Sequence, residues 1–186
     1  MSMSAPQGGF EGSPGTSSPP AIVHVFNEDG TLRRFAPTVP SSNPGHPPVV
    51  QAVDDAHSPL YWFPRAVPRI SVWARDAAEQ AVLTDRFGTE ASRICAVENE
   101  SLASIRSTRL YRYSFDGAPF VPWGDGQFVA SVVVHPERVE PIDDLIEAHA
   151  DAGVEFRLTP RLGALMDAIL ASGLPFGFVR IRDALR

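Results

Sequence analysis

Proline limits the length that any helix or strand in this chain can reach. Residues 36–48 contain five prolines and predict an extended surface loop, and Pro59, Pro64 and Pro68 interrupt the segment that follows it. The elements between such interruptions are short, and strands do not alternate regularly with long helices. The pattern argues against a doubly wound parallel sheet. It predicts an α+β single domain with a bent or split mixed β-sheet and peripheral helices.

The first 20 residues differ in composition from the rest of the chain. Thirteen of them are Gly, Pro or Ser, and Phe10 is their one large apolar residue apart from methionine. Such a segment buries too little apolar surface to offset its ordering entropy. We therefore expect a disordered tail over residues 1–20 and a single globular domain over residues 21–186.

Alternation, caps and turn signals predict the elements of this domain. The predicted strands are 22–26, 49–53, 69–74, 93–97, 109–115, 127–134, 154–158 and 176–181. The predicted helices are a short one from Asp54, then 76–87, 99–107, 141–152 and 160–172, with residues 116–126 as loop. We expect Ala77, Ala81 and Val82 to face inward from the second helix, and Val132 to Val134 to be buried on both faces of their strand.

Charge and composition exclude several classes of function. The net charge of −6 does not favour nucleic acid or an anionic membrane as a partner. All 16 basic residues are Arg, so there is no Schiff-base or P-loop lysine. The single cysteine, Cys95, excludes a disulfide framework and predicts a buried, inert thiol. The sequence contains no 18-residue apolar run and no signal peptide, so we expect a cytoplasmic protein without a membrane span. We also expect no metal site.

The segment from His57 to Arg69 holds the densest group of candidate ligand-binding residues. Arg65 and Arg69 offer planar donors for phosphate or carboxylate, and Tyr61 offers a ring for stacking. If this segment is helical, His57 and Tyr61 share one face. The alternative is a rigid loop whose arginines bind main-chain carbonyls or pair with the preceding aspartates.

His24 lies inside the first predicted strand, on the same face as Ile22 and Phe26. It is either a hydrogen-bonded residue at the edge of the core or a residue that contacts a ligand in a sheet cleft. His135 with Glu137 or Glu140 is a further acid–base candidate, as in a hydrolase, for which a solvated turn is the alternative.

Four segments resemble a bacterial family described as a domain of unknown function, over residues 22–184. They are 23–28 with Arg34-Phe35, 53–65 with Pro68-Arg69, 110–113 and 139–145. The order of elements also resembles the ADP-ribosyltransferase-like fold, including its RNA 2′-phosphotransferase type. That resemblance implies that NAD or ADP-ribose binds in the cleft of a split sheet, with His24 on the ribose and Tyr61 on the nicotinamide.

The same class completes catalysis with a late glutamate on a strand, and residues 127–134 contain none. The sequence therefore leaves open whether this protein is an enzyme. Its predicted ligand-binding residues are His24, His57, Tyr61, Arg65 and Arg69, with NAD as the possible cofactor. The alternative function is a non-catalytic protein-interaction module that uses the proline-rich loop and the tail.

Overall fold

A computed structural model describes residues 19–40 and 44–181. The predicted tail lies outside the described residues except for its last two positions. Within the described ranges the chain forms two compact units. The first takes in residues up to 25, 31–57 and 112–139, and the second takes in 26–30, 58–111 and those from 140 onward. The predicted α+β class with a split sheet is confirmed, whereas the extent of the globular domain stays a prediction.

The described residues contain ten strands and four α-helices. The strands are β1 (Ile22–Asn27), β2 (Val50–Val53), β3 (Arg69–Trp73), β4 (Arg93–Glu98), β5 (Leu110–Asp116), β6 (Val121–Gly124), β7 (Gln127–Ala130), β8 (Arg138–Ile142), β9 (Glu155–Thr159) and β10 (Phe176–Val179). The helices are α1 (Ala77–Phe87), α2 (Leu102–Ser107), α3 (Leu145–Asp151) and α4 (Gly163–Leu170), with 3-10 helices at Ser58–Tyr61 and Asn99–Ser101.

One sheet has six strands in the order β6-β7-β2-β1-β5-β8. The pairings β1–β2, β2–β7 and β6–β7 are antiparallel. His24 on β1 lies opposite Val53, the last residue of β2. Because β1 lies between β2 and β5, His24 has neighbours from both strands. The turn that follows β2 starts next to His24.

The other sheet has four strands in the order β10-β3-β4-β9, with β4 and β9 parallel. Every residue of β3 and β4 is buried. One face packs on a cluster of Ile70, Val72, Leu83, Ile94, Ala96, Leu162, Ile169 and Leu174. The other face packs on Phe63, Val67, Cys95, Val97, Ile105, Leu110, Leu145 and Val154. Two apolar layers therefore cover the central strands and hold this unit together.

Helix α1 forms where its caps predict it. The Asp76 side chain accepts the Glu79 backbone N–H at 2.9 Å, and Gly88 ends the helix at a φ of 65°. The predicted inward face is right for Val82, which is half-buried against the core, and wrong for Ala77 and Ala81, which are exposed; Leu83 is the buried residue of the helix. Leu83 offers more apolar surface than either alanine, so the helix packs on the core through the face that contains Leu83.

Two strands were not predicted, and both contain proline. β6 passes through Pro122 in the predicted loop, and β8 passes through Pro141 where a helix was expected, so that α3 begins only at Leu145. β6 and β8 are the edge strands of their sheet. An edge strand tolerates proline because the missing N–H can point away from the ladder.

Three further predictions are corrected. The strand expected over 127–134 ends at Ala130, and Val132 and Val133 are exposed rather than buried. The helix expected from Asp54 is a turn followed by one turn of 3-10 helix, so the helical face proposed for His57 and Tyr61 does not form. Helix α4 covers only the middle of the predicted span.

Candidate functional site

His24 is the most constrained polar side chain of the first unit. It is 5% exposed, and its Nδ1 lies 3.1 Å from Oγ of Ser114 on β5. Its Nε2 lies 2.9 Å from Oδ1 of Asp55. A carboxylate only accepts, so the Asp55 contact favours a proton on Nε2, and a neutral ring with that proton accepts the Ser114 hydroxyl at Nδ1. The Ser114 contact restrains the orientation of the ring.

The solvent-facing end of this arrangement is the aspartate. The Asp55 side chain is 78% exposed, whereas Ser114 is buried. Nη1 of Arg112 lies 4.0 Å from the same Asp55 oxygen. Because the hydroxyl is buried behind the ring, the arrangement does not present a serine nucleophile. It presents an imidazole N–H and a guanidinium around one oxygen. We call His24, Asp55, Arg112 and Ser114 the His24 cluster.

His57 lies two residues after Asp55 in the sequence, and Asp54 holds its side chain and its backbone N–H. Oδ1 of Asp54 lies 2.7 Å from His57 Nδ1 and accepts the His57 backbone N–H at 2.8 Å. The Asp54 N–H donates to the Gly126 carbonyl at 3.0 Å, and Oδ1 of Asp125 lies 3.9 Å from His57 Nε2. These contacts pin the turn from which Asp55 projects. They show His57 in a positioning arrangement, and its predicted ligand contact stays a prediction.

Gly126 explains why the ring of His57 can lie there. Its φ is +66°, and a Cβ at this position would lie 1.8 Å from His57 Nδ1. Only glycine adopts this conformation without strain and leaves the space that the ring fills.

Arg69 and Tyr61, both predicted ligand contacts, lie together in the second unit. Arg69 is buried, and its Nε and Nη1 donate to the carbonyls of Leu60 at 2.6 Å and Val67 at 3.1 Å. Burial lowers the pKa of Arg69 to about 10 and raises the pKa of Tyr61, which the charge of Arg69 partly offsets. These carbonyl contacts favour the loop-bracing alternative for Arg69.

Arg65 is anchored through its main chain rather than its guanidinium. Its backbone N–H donates to Oε1 of Glu28 at 2.8 Å, and the residue is exposed. The predicted phosphate contact of Arg65 stays a prediction. Cys95 is fully buried, and burial raises the pKa of its thiol to about 11. This agrees with the inert thiol expected from the sequence.

His149 was not singled out by the sequence. It is fully buried, with Nδ1 2.6 Å from the carbonyl of Leu145 and Nε2 3.0 Å from that of Pro59. Its ring contacts those of Trp62 and Phe63. Burial lowers the pKa of His149, although the two carbonyl contacts favour the protonated ring. Its spacing of four from Leu145, on the apolar stripe of its helix, was the available signal.

His135 and its neighbouring glutamates are the remaining acid–base candidates. His135 and Glu137 are exposed and Glu140 is half-buried, and His135 Nδ1 contacts the Arg33 carbonyl at 2.9 Å. Among the described residues, no group of three or more His, Cys, Asp or Glu side chains could hold a metal ion. In the same part of the chain, no helix combines the length and apolar character needed to cross a bilayer.

Comparison with protein families gives one match. The model of DUF6886, a family of unknown function, matches residues 24–184. The chain belongs to this family. The DUF6886 match contains the whole His24 cluster, and it agrees with the membership of a domain of unknown function expected from the sequence. No curated protein and no solved structure matches the chain. The likeness to the ADP-ribosyltransferase fold stays a prediction.

Proposed function

We propose that this protein binds a nucleotide of the NAD or ADP-ribose type at the His24 cluster. The observation that carries the proposal is the fixed imidazole of His24. Its Nδ1 contacts the buried Ser114 hydroxyl, and its Nε2 lies 2.9 Å from an exposed carboxylate beside Arg112.

The chemistry of the cluster suits such a ligand. A preoriented imidazole N–H can donate to a ribose hydroxyl or a phosphate oxygen, and a guanidinium binds phosphate. Because His24 and Ser114 are already buried, little side-chain entropy remains to be lost when a ligand binds. The resemblance to the ADP-ribosyltransferase-like fold, in which a first-strand histidine contacts the ribose, supports the same assignment.

The proposal covers binding and not transfer. β7, where that class would lead us to expect a glutamate, reads Gln-Phe-Val-Ala. The contacts predicted for Tyr61, Arg65 and Arg69 are left as separate predictions, to be tested by substitution.

Calorimetric titration and thermal unfolding with NAD, ADP-ribose, AMP and phosphate test the proposal. A ligand present at 100 times its Kd should stabilise the protein by about 2.7 kcal/mol. For a chain of this size that raises Tm by about 5–10 °C. His24→Gln should abolish the shift in Tm. The control is His46→Gln, which should retain the shift, because the His46 ring contacts the Pro47 carbonyl at 2.8 Å and not the His24 cluster.

Two results would contradict the proposal. One is the absence of binding by the wild-type protein and every variant at millimolar ligand, which would favour the protein-interaction module instead. The other is binding that His24→Gln leaves unchanged, which would place the ligand elsewhere.

A further inference from the structure

We propose that the carboxylate of Asp55 occupies the position of a ligand phosphate oxygen and is displaced when the ligand binds. The ligand class is a phosphate or diphosphate anion. Its identification as part of a nucleotide rests on the proposed function.

The contacts of a single oxygen carry this inference. Oδ1 of Asp55 lies 2.9 Å from Nε2 of His24 and 4.0 Å from Nη1 of Arg112. A phosphate oxygen is also an anionic acceptor, and it satisfies the same imidazole N–H and guanidinium. Two cationic or donor groups therefore already surround one negatively charged oxygen, and the Asp55 side chain supplies that oxygen.

Asp55 is the movable member of this arrangement. Its side chain is 78% exposed, whereas His24 and Ser114 are buried on neighbouring strands. The preceding residue, Asp54, holds the backbone in place through His57 and the Gly126 carbonyl. Rotation of one exposed side chain is then enough to vacate the position, without movement of the sheet.

Displacement makes Asp55 a competitor of the ligand. The interaction energy of an exposed ion pair changes an equilibrium constant by a factor of about two to five. Removal of the charge of Asp55 should therefore tighten anion binding by at least about that factor, because repulsion between the carboxylate and the anion disappears as well. A neutral ligand should gain nothing.

The test is calorimetric titration of ADP-ribose, inorganic pyrophosphate and adenosine into the wild-type protein, Asp55→Asn and Asp55→Ala. Asp85→Asn, at an exposed position in α1, makes the same change in net charge as a control. We expect both Asp55 variants to bind ADP-ribose and pyrophosphate about three- to tenfold more tightly, with adenosine unchanged and Asp85→Asn equal to wild type. Adding His24→Gln to Asp55→Asn should remove the gain.

Three outcomes separate this inference from the proposed function. Binding of ADP-ribose that weakens or stays equal in both Asp55 variants overturns the inference and leaves nucleotide binding intact. A His24-dependent gain for pyrophosphate, without binding of ADP-ribose, supports the anion position and overturns the nucleotide. Absence of binding by every variant and anion overturns both.

Discussion

Two buried histidines, one in each unit, differ in what their second ring nitrogen contacts. Both nitrogens of His149 face main-chain carbonyls, at 2.6 and 3.0 Å. The ring of His24 has a buried serine on one side and a carboxylate with 78% exposure on the other. The backbone fixes the position of a main-chain carbonyl, whereas an exposed side chain can rotate away from the ring. Burial is therefore common to both rings, and of these contacts it is the carboxylate beside His24 that belongs to an exposed side chain.

Arg69 and Arg112 repeat the contrast. The donors of Arg69 are used by the carbonyls of Leu60 and Val67, while Arg112 approaches the exposed Asp55. In the second unit, buried Arg69 braces the segment from Leu60 to Val67. In the first unit, His24 and Arg112 lie beside an exposed carboxylate.

The largest expected effect is on stability, from His149→Leu. The substitution removes the one hydrogen bond that a neutral ring can donate to these carbonyls, together with the contacts of the ring with Trp62 and Phe63, so the free energy of unfolding should fall by about 3 kcal/mol. Urea unfolding measures this. ADP-ribose binding by the folded variant should equal that of wild type. A change below about 1 kcal/mol would show that the carbonyl contacts are not structural, and the comparison would fail.

Gly126→Ala tests the turn that presents Asp55. Its Cβ would lie 1.8 Å from His57 Nδ1, whereas nothing lies within 4 Å of the same atom at Gly88, whose φ of +65° is nearly identical. We expect a loss of about 2–3 kcal/mol for Gly126→Ala and about 1 kcal/mol for Gly88→Ala. Equal losses in chemical denaturation would mean that the ring of His57 is not packed against this turn.

Ser114→Ala sharpens the role assigned to the serine. Without the Ser114 hydroxyl, His24 loses the contact that orients its ring, at a cost of about 1 kcal/mol. ADP-ribose affinity should then fall about fivefold in calorimetry. Ser131→Ala, at an exposed position after β7, is the control and should not change affinity. An unchanged affinity in Ser114→Ala would show that the hydroxyl does not orient the imidazole.

The smallest effect is on the pH dependence of stability. Burial lowers the folded-state pKa of His149, so the unfolded chain binds more protons between that pKa and its own value of about 6.5. Stability is therefore complete above about pH 6.5 and decreases as the pH falls through this window. His149→Gln should remove that slope, which is at most about 1.4 kcal/mol per pH unit, and His46→Gln should retain it. Parallel urea midpoints for wild type and His149→Gln from pH 8 to 5 would refute the assignment.

Local sequence signals predicted the elements whose structure is determined locally. β1, α1 and the central strands follow from alternation and caps, as at Asp76 and Gly88. Local signals failed for β6 and β8, because Pro122 and Pro141 indicate a break unless the strand is known to lie at an edge. Edge position is a property of the whole sheet, which the local pattern does not contain.

The candidate site was predictable only in part. The sequence predicted that His24 lies inside a strand. The alternation over residues 109–115 also places Arg112 and Ser114 on one face of their strand. That β5 pairs beside β1 depends on contacts 90 residues apart, so the hydrogen bond between His24 and Ser114 could not be foreseen. The consecutive aspartates suggested a helix start, and instead each binds a different histidine.

The central claim is that a ligand reaches the imidazole of His24 and not that of His149. Long-range proton–nitrogen NMR correlation of the histidine rings tests it during titration with ADP-ribose, with signals assigned through His24→Gln and His149→Gln. We predict saturable shifts of the His24 ring nitrogens, with Nε2 shifting more than Nδ1, and unchanged signals for His149. A titration that leaves His24 unmoved, or that shifts His149 instead, would contradict the account.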